Sequence, residues 1–158
     1  MSVPRDRDTG GRPLNARPRD SLGRPMPYGA AGAVPRIPED YAPGPAEAVA
    51  EALRLLDERR PFHAHEVLEA RWKTGPEGER RLWQGLAQIC VGLTHLQRGN
   101  PRGATALLTR GAERVESHAT DQYGIATEAV AEAARRLAGT EHPDPEAAIA
   151  LIRRTLGP

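Results

Sequence analysis

The stretch RPFHAHEVLEARWK, Arg60 to Lys73, holds the residue types best suited to chemistry in this chain. His65 and Glu69 are four apart, so on a helix their side chains can meet. An imidazole beside a carboxylate can act as a general acid–base pair or help to hold a divalent cation. At about 100° per residue, the pair shares a side with Phe62, Leu68 and Trp72. His63, Val67 and Ala70 fall elsewhere, and Glu66 falls at the border. A carboxylate on an apolar side is costly unless it is partnered. His65 could supply that partner, and so could a metal ion. The plainer reading is a hydrogen-bonded pair that only fixes helix packing. His63 reads as a surface histidine.

A second set of polar residues follows in Leu82 to Gln97, an uncharged run of 16 residues. Leu82, Leu86, Ile89, Leu93 and Leu96 form one apolar stripe. Gln84, Gln88, Val91 and His95 form a second, on another side. Two uncharged faces place this helix in the middle of a bundle. Gly85 and Gly92 lie between the stripes, where a neighbouring backbone can approach closely. The glutamine stripe is therefore expected to face His65 and Glu69, giving a polar site between helices. In that site His65, Glu69 and His95 are the catalytic candidates and also the candidate ligands for one divalent metal ion. Glu66, Trp72, Gln84 and Gln88 are the candidate ligand-binding residues, the amides orienting a polar ligand. A di-metal carboxylate centre is disfavoured, because its Glu-x-x-His spacing does not occur twice. Cys90 has no base near it in sequence and reads as an inert thiol. No phosphate-binding glycine loop, nucleophile elbow or CxxC motif is present.

The elements that must position these residues are helices. Pro45, Pro61, Pro101 and Pro145 suit first helical positions, and Asn100 and Asp144 suit caps. Thr74 to Gly78, TGPEG, reads as a turn. Gly99 ends the helix that starts near Glu79. His118 to Ala126 reads as a loop, after which Thr127 caps a short helix that stops at Gly139. No segment alternates with period two. The prediction is an all-α bundle of about six helices joined by short loops.

Several spaced residues in this region agree with a known pattern. FHAHEVLEARW at 62–72, LWQGLAQICVGLTHLQRGN at 82–100 and RGATALL at 102–108 resemble the bacterial and archaeal family called domain of unknown function 309. The residues that match its pattern are His65, Glu66, Leu68, Glu69, Trp72, Gln84, Gly85, Leu86, Gln88, His95, Arg98, Gly99 and Asn100. The resemblance covers roughly residues 47–118. It implies a compact helical fold and no particular reaction. The N-terminal part is similar to extensions of actinobacterial members.

Composition bounds the rest. Residues 1–43 hold 8 prolines and 5 glycines, and their few apolar residues show no period. This Pro/Gly/Arg-rich segment is expected to be a tail, disordered or laid over a single helical domain at 44–158. A formal net charge of +1 gives no strong pull toward nucleic acid or a membrane surface. The start MSVPRDRD is not a secretory signal, and a single cysteine suits a cytoplasmic setting. The expected partner is a small polar ligand. The alternative is a protein-interaction module, because Gly92 to Leu108 resembles one tetratricopeptide hairpin and the His–Glu pair could be purely structural. No second copy lies about 34 residues away, so a repeat array is not expected. Whether the chain is an enzyme, and its oligomeric state, are not legible.

Overall fold

A computed structural model describes residues 19–26, 31–34, 37–118 and 121–157. Among these, regular structure is helical: α1 (Pro45–Asp57), α2 (Pro61–Thr74), α3 (Arg80–Gln97), α4 (Pro101–Ser117), α5 (Thr127–Ala138) and α6 (Pro145–Leu156). A short 3-10 turn at Glu77–Glu79 leads into α3. Helices α1, α2, α4 and α6 each open on a proline, whose missing N–H costs nothing in a first turn. The Asn100 side chain caps α4 through the Gly103 amide, and Asp144 caps α6 through that of Ala147. Thr127 is not a cap. It is the first residue of α5, and both its amide and its hydroxyl donate to Asp121 Oδ1.

Consecutive helices pack side by side from α1 to α6, apart from the longer connection at 118–126, and α6 returns to α1 and α3. Helix α3 lies in the middle, against α2, α4 and α6. Its stripe Leu82, Leu86, Ile89, Leu93 and Leu96 is buried, with Trp83 fully inside. Gly85 and Gly92 set the closeness of α3 to α4. A Cβ on Gly85 would lie 2.8 Å from the Val115 amide nitrogen, and one on Gly92 would lie 2.8 Å from Leu108 Cγ. Gly111 answers from α4, where an added Cβ would meet the Gly85 carbonyl oxygen at 2.7 Å.

The N-terminal segment is laid over this bundle where it is described. Arg98 donates from Nε and Nη2 to the Leu22 carbonyl at 3.2 and 2.9 Å. The Phe62 ring lies 4.9 Å from the Arg19 guanidinium carbon and 5.6 Å from that of Arg98. Gly23 sits against the same ring, so closely that an added Cβ would overlap it. Ile37 and Tyr41 are partly buried against the core. Expectations about residues 1–18, 27–30 and 35–36 lie outside the described residues.

Candidate functional site

Helix α2 turns a different side inward from the one its apolar residues suggested. Its buried residues are Pro61, His63, Ala64, Val67, Leu68 and Arg71. His65 and Glu69 lie away from that side and are half-buried. His63, expected at the surface, is only 5% exposed. The cause is two buried polar residues, His63 and Arg71, in a helix whose apolar residues do not form one stripe. Burial is the main reason that the His63 imidazole is pushed down to about 4.

His65 Nε2 lies 3.0 Å from Glu69 Oε2, and His65 Nδ1 lies 2.8 Å from the Phe62 carbonyl oxygen. Each ring nitrogen thus faces an acceptor. Lys73 donates to the other Glu69 oxygen. Hydrogen bonding from His65 is the largest reason that the Glu69 carboxyl is held down near 2, with Lys73 adding to it against a smaller opposing effect of burial. The pair opens into a cavity of about 210 Å³. Its floor is His65, Glu66, Glu69 and Lys73, and residues 37–41 lie across it with Ile37, Glu39 and Tyr41.

The partners expected from α3 are not in this cavity: its lining residues all come from α2 and the 37–41 segment. His95 faces the α3–α4 turn, where Nδ1 lies 3.1 Å from Asn100 Nδ2 and against Gly103. Burial, followed by the charge of Arg98, lowers its pKa. Gln84 and Gln88 are half-buried on α3, and the Gln88 side-chain oxygen is buried without a hydrogen-bond partner. Trp72 lies under the cations of Arg80 and Lys73, at 4.9 and 5.8 Å from its ring centre. His65, Glu69 and His95 are therefore not gathered as one ligand set, because the first two lie on the side of α2 turned away from α3. Among the described residues no three His, Cys, Asp or Glu side chains are grouped to hold a metal ion. Cys90 is a buried free thiol whose pKa burial pushes up to about 12.

A second polar cluster was not legible. Glu79 Oε1 accepts from Arg71 Nη2 at 3.1 Å and from Trp83 Nε1 at 3.0 Å, and Oε2 accepts from the Tyr123 hydroxyl at 2.8 Å. Burial acts to raise the Glu79 carboxyl, but hydrogen bonds from Trp83, Tyr123 and Arg71 together outweigh it and hold it low. Arg71 also reaches the Pro43 carbonyl at 3.4 Å. The available signal was Trp83: a buried indole N–H needs an acceptor, and Glu79 stands four residues before it.

Residues 49–107 match the family model described as "Domain of unknown function (DUF309)". This segment is similar to that family. His65, Glu66, Glu69, Trp72, Gln84, Gln88 and His95 all fall within it, while the N-terminal segment, α5 and α6 lie outside. Over 67 residues the chain is 36% identical to the uncharacterized protein YpuF of Bacillus subtilis (strain 168). That alignment covers 40% of this chain and 38% of YpuF. No solved structure matches. Within the matched segment the His–Glu pair thus sits at an outer cavity of α2, and among the described residues no helix is long and apolar enough to cross a membrane.

Proposed function

We propose that the chain is a small-ligand-binding helical domain and that the cavity over His65, Glu66 and Glu69 is its site. The observation that carries this reading is where the pair lies. A pair serving only to lock two helices would sit between them, whereas this one lines a cavity open to solvent. Three carboxylates, Glu39, Glu66 and Glu69, face Lys73 and His65 there. Such a lining favours a small polar ligand carrying a positive charge, such as a primary amine. Tyr41, whose hydroxyl lies 3.4 Å from Glu47 Oε1, adds an aromatic wall. A cytoplasmic setting goes with the reading, since Cys90 is a free thiol. The alternative, a hairpin that docks a protein in an apolar groove, has less support. Among the described residues the one exposed large hydrophobic side chain is Tyr123, and its hydroxyl is held by Glu79.

The test is thermal melting of the parent, Glu69→Gln and His65→Gln with putrescine or with sodium chloride at equal ionic strength. Both variants should melt within a few degrees of the parent, because an ion pair at the rim of an open cavity, with solvent reaching both partners, contributes about 1 kcal/mol or less. Putrescine should raise the melting temperature of the parent and not that of the variants. Strong destabilisation of both variants without any putrescine effect would make the pair structural. A parent melt that falls on adding a chelator would instead favour the divalent-cation reading.

A further inference from the structure

Glu79 joins parts of the chain that are far apart in sequence. It ends the turn before α3 and is held from α2 by Arg71, from α3 by Trp83 and from the 121–126 loop by Tyr123. Arg71 and Glu79 are 9% and 7% exposed, so the network is largely shielded from water. Arg71 carries it further. Its Nη2 is on Glu79, and its Nη1 is on the carbonyl of Pro43, a buried residue. Residues 37–43 end at that carbonyl, and Ile37, Glu39 and Tyr41 wall the cavity over His65 and Glu69. Three hydrogen bonds of 2.8, 3.1 and 3.4 Å thus join the Tyr123 hydroxyl to the segment over the cavity.

Two features let this line of bonds take a second arrangement. The guanidinium is not fully used, because Arg71 Nε is buried without a hydrogen-bond partner. A planar guanidinium pairs best with a carboxylate through two parallel N–H groups. Here Arg71 gives Glu79 only one, while Tyr123 holds Oε2. Tyr123 is also docked against resistance. It has φ 55° and Gly124 has φ 75°, in a turn closed by the Ile125 amide on the Gln122 carbonyl at 2.9 Å. Glycine adopts such a conformation freely, and a residue with a Cβ does not. The tyrosine ring is 41% exposed, and it is held by stacking on Trp83, with 5.9 Å between ring centres, and by its hydroxyl. If Tyr123 lifts away, Glu79 Oε2 loses its donor in a site where Arg71 Nε lacks an acceptor. Turning the guanidinium onto both carboxylate oxygens satisfies the two atoms together. That turn draws Nη1 off the Pro43 carbonyl, the longest of the three bonds.

We infer that Tyr123 is a latch for the segment over the His65–Glu69 cavity. Docked on Glu79, it keeps Arg71 shared between Glu79 and Pro43, and residues 37–43 stay in place. Undocked, it lets Arg71 turn wholly to Glu79, and the segment is freed. The latch does not depend on a ligand. Its use in controlling access to the cavity rests on the binding site proposed above.

The experiment is chymotrypsin cleavage of the folded full chain, with products followed by mass. Cleavage after Tyr41 reports release of the segment, and cleavage within the helices reports global opening. Tyr123→Phe keeps the ring on Trp83 and removes only the hydroxyl. It should speed cleavage after Tyr41 about tenfold, within the usual range of coupling between sites, and leave cleavage within the helices nearly unchanged. In a Glu79→Gln background Tyr123→Phe should add nothing, because the effect passes through the carboxylate. If Glu79→Gln does not fold, Arg71→Lys serves, since one ammonium cannot pair through two parallel N–H groups. Faster cleavage confined to the 121–126 loop, or raised equally throughout the chain, would overturn the latch. So would an effect of Tyr123→Phe that persists in both backgrounds. Putrescine separates the latch from the binding site. Faster cleavage after Tyr41 in Tyr123→Phe, with no putrescine effect on the parent's melting, would uphold the latch and sink the ligand reading. A putrescine effect on the parent, with unchanged cleavage after Tyr41 in Tyr123→Phe, would do the reverse.

Discussion

A histidine kept neutral by burial ties stability to pH. Unfolded, the His63 imidazole titrates near 6.5, and in the fold burial holds it to about 4. The folded value is the lower one, so the unfolded chain takes up protons first as pH falls. The contribution of His63 is complete above pH 6.5 and is lost as pH falls through 4, about 3 kcal/mol in all. Glu69 has an ordinary value of 4.5 and a folded value of about 2, so its contribution is lost only below 4.5. The interval from 6.5 to 4.5 therefore belongs to the histidines, with His95 lowered in the same direction. In urea titrations in chloride, the parent should lose about 2–3 kcal/mol across that interval, most of it absent from His63→Gln. Equal losses in parent and variant would show that His63 is solvated in the fold. None of this was legible from the sequence. A histidine two residues from His65 reads as exposed until Arg71, also buried, fixes which way α2 turns.

At the scale of elements, two helix ends solve the same problem with different residues. After α3, Gly99 has φ 72°, and the Asn100 amide returns to the His95 carbonyl at 2.8 Å. After α1, Arg59 takes the same left-handed conformation at φ 61°, and the Arg60 amide returns to the Leu55 carbonyl at 2.9 Å. The conformation costs a residue with a Cβ about 1 kcal/mol or more, whereas glycine adopts it freely. Arg59→Gly should thus raise stability by about 0.5–1 kcal/mol despite losing a 3.7 Å contact with the exposed Glu146. A lower urea midpoint would mean that the arginine side chain matters more than its backbone. The reverse case is Gly92→Leu, which drives a side chain into Leu108 and should cost about 1–3 kcal/mol. An unchanged melt would mean that α3 and α4 separate without cost. Helix ends and the α3–α4 contact were legible because prolines, caps and glycines act within one turn of their own position. The facing of α2 was not, because Arg71 and Glu79 find each other across a turn and Tyr123 joins from a loop.

At the scale of the molecule, the described residues before α1 pack on the helices. Ile37 lines the cavities on both flanks of α2, so one side chain borders the His65–Glu69 site and the space beside His63. The Leu22 carbonyl receives Arg98, and the Pro43 carbonyl receives Arg71, itself the partner of Glu79. Composition suggests a tail that a chain starting at Gly44 could lose with little effect, and these contacts argue otherwise. Removing residues 1–26 takes away the turn on Phe62 and Arg98, both half-buried, and should lower the melting temperature by only a few degrees. Removing residues 1–43 also takes Ile37, Tyr41 and the Pro43 carbonyl. A buried guanidinium left short of an acceptor costs about 1–3 kcal/mol, and the lost apolar cover adds to it. The second truncation should therefore melt about ten degrees below the first, while far-UV circular dichroism still shows the helices. If the two truncations melt together, residues 37–43 are a layer that lines the cavities without stabilising the helices.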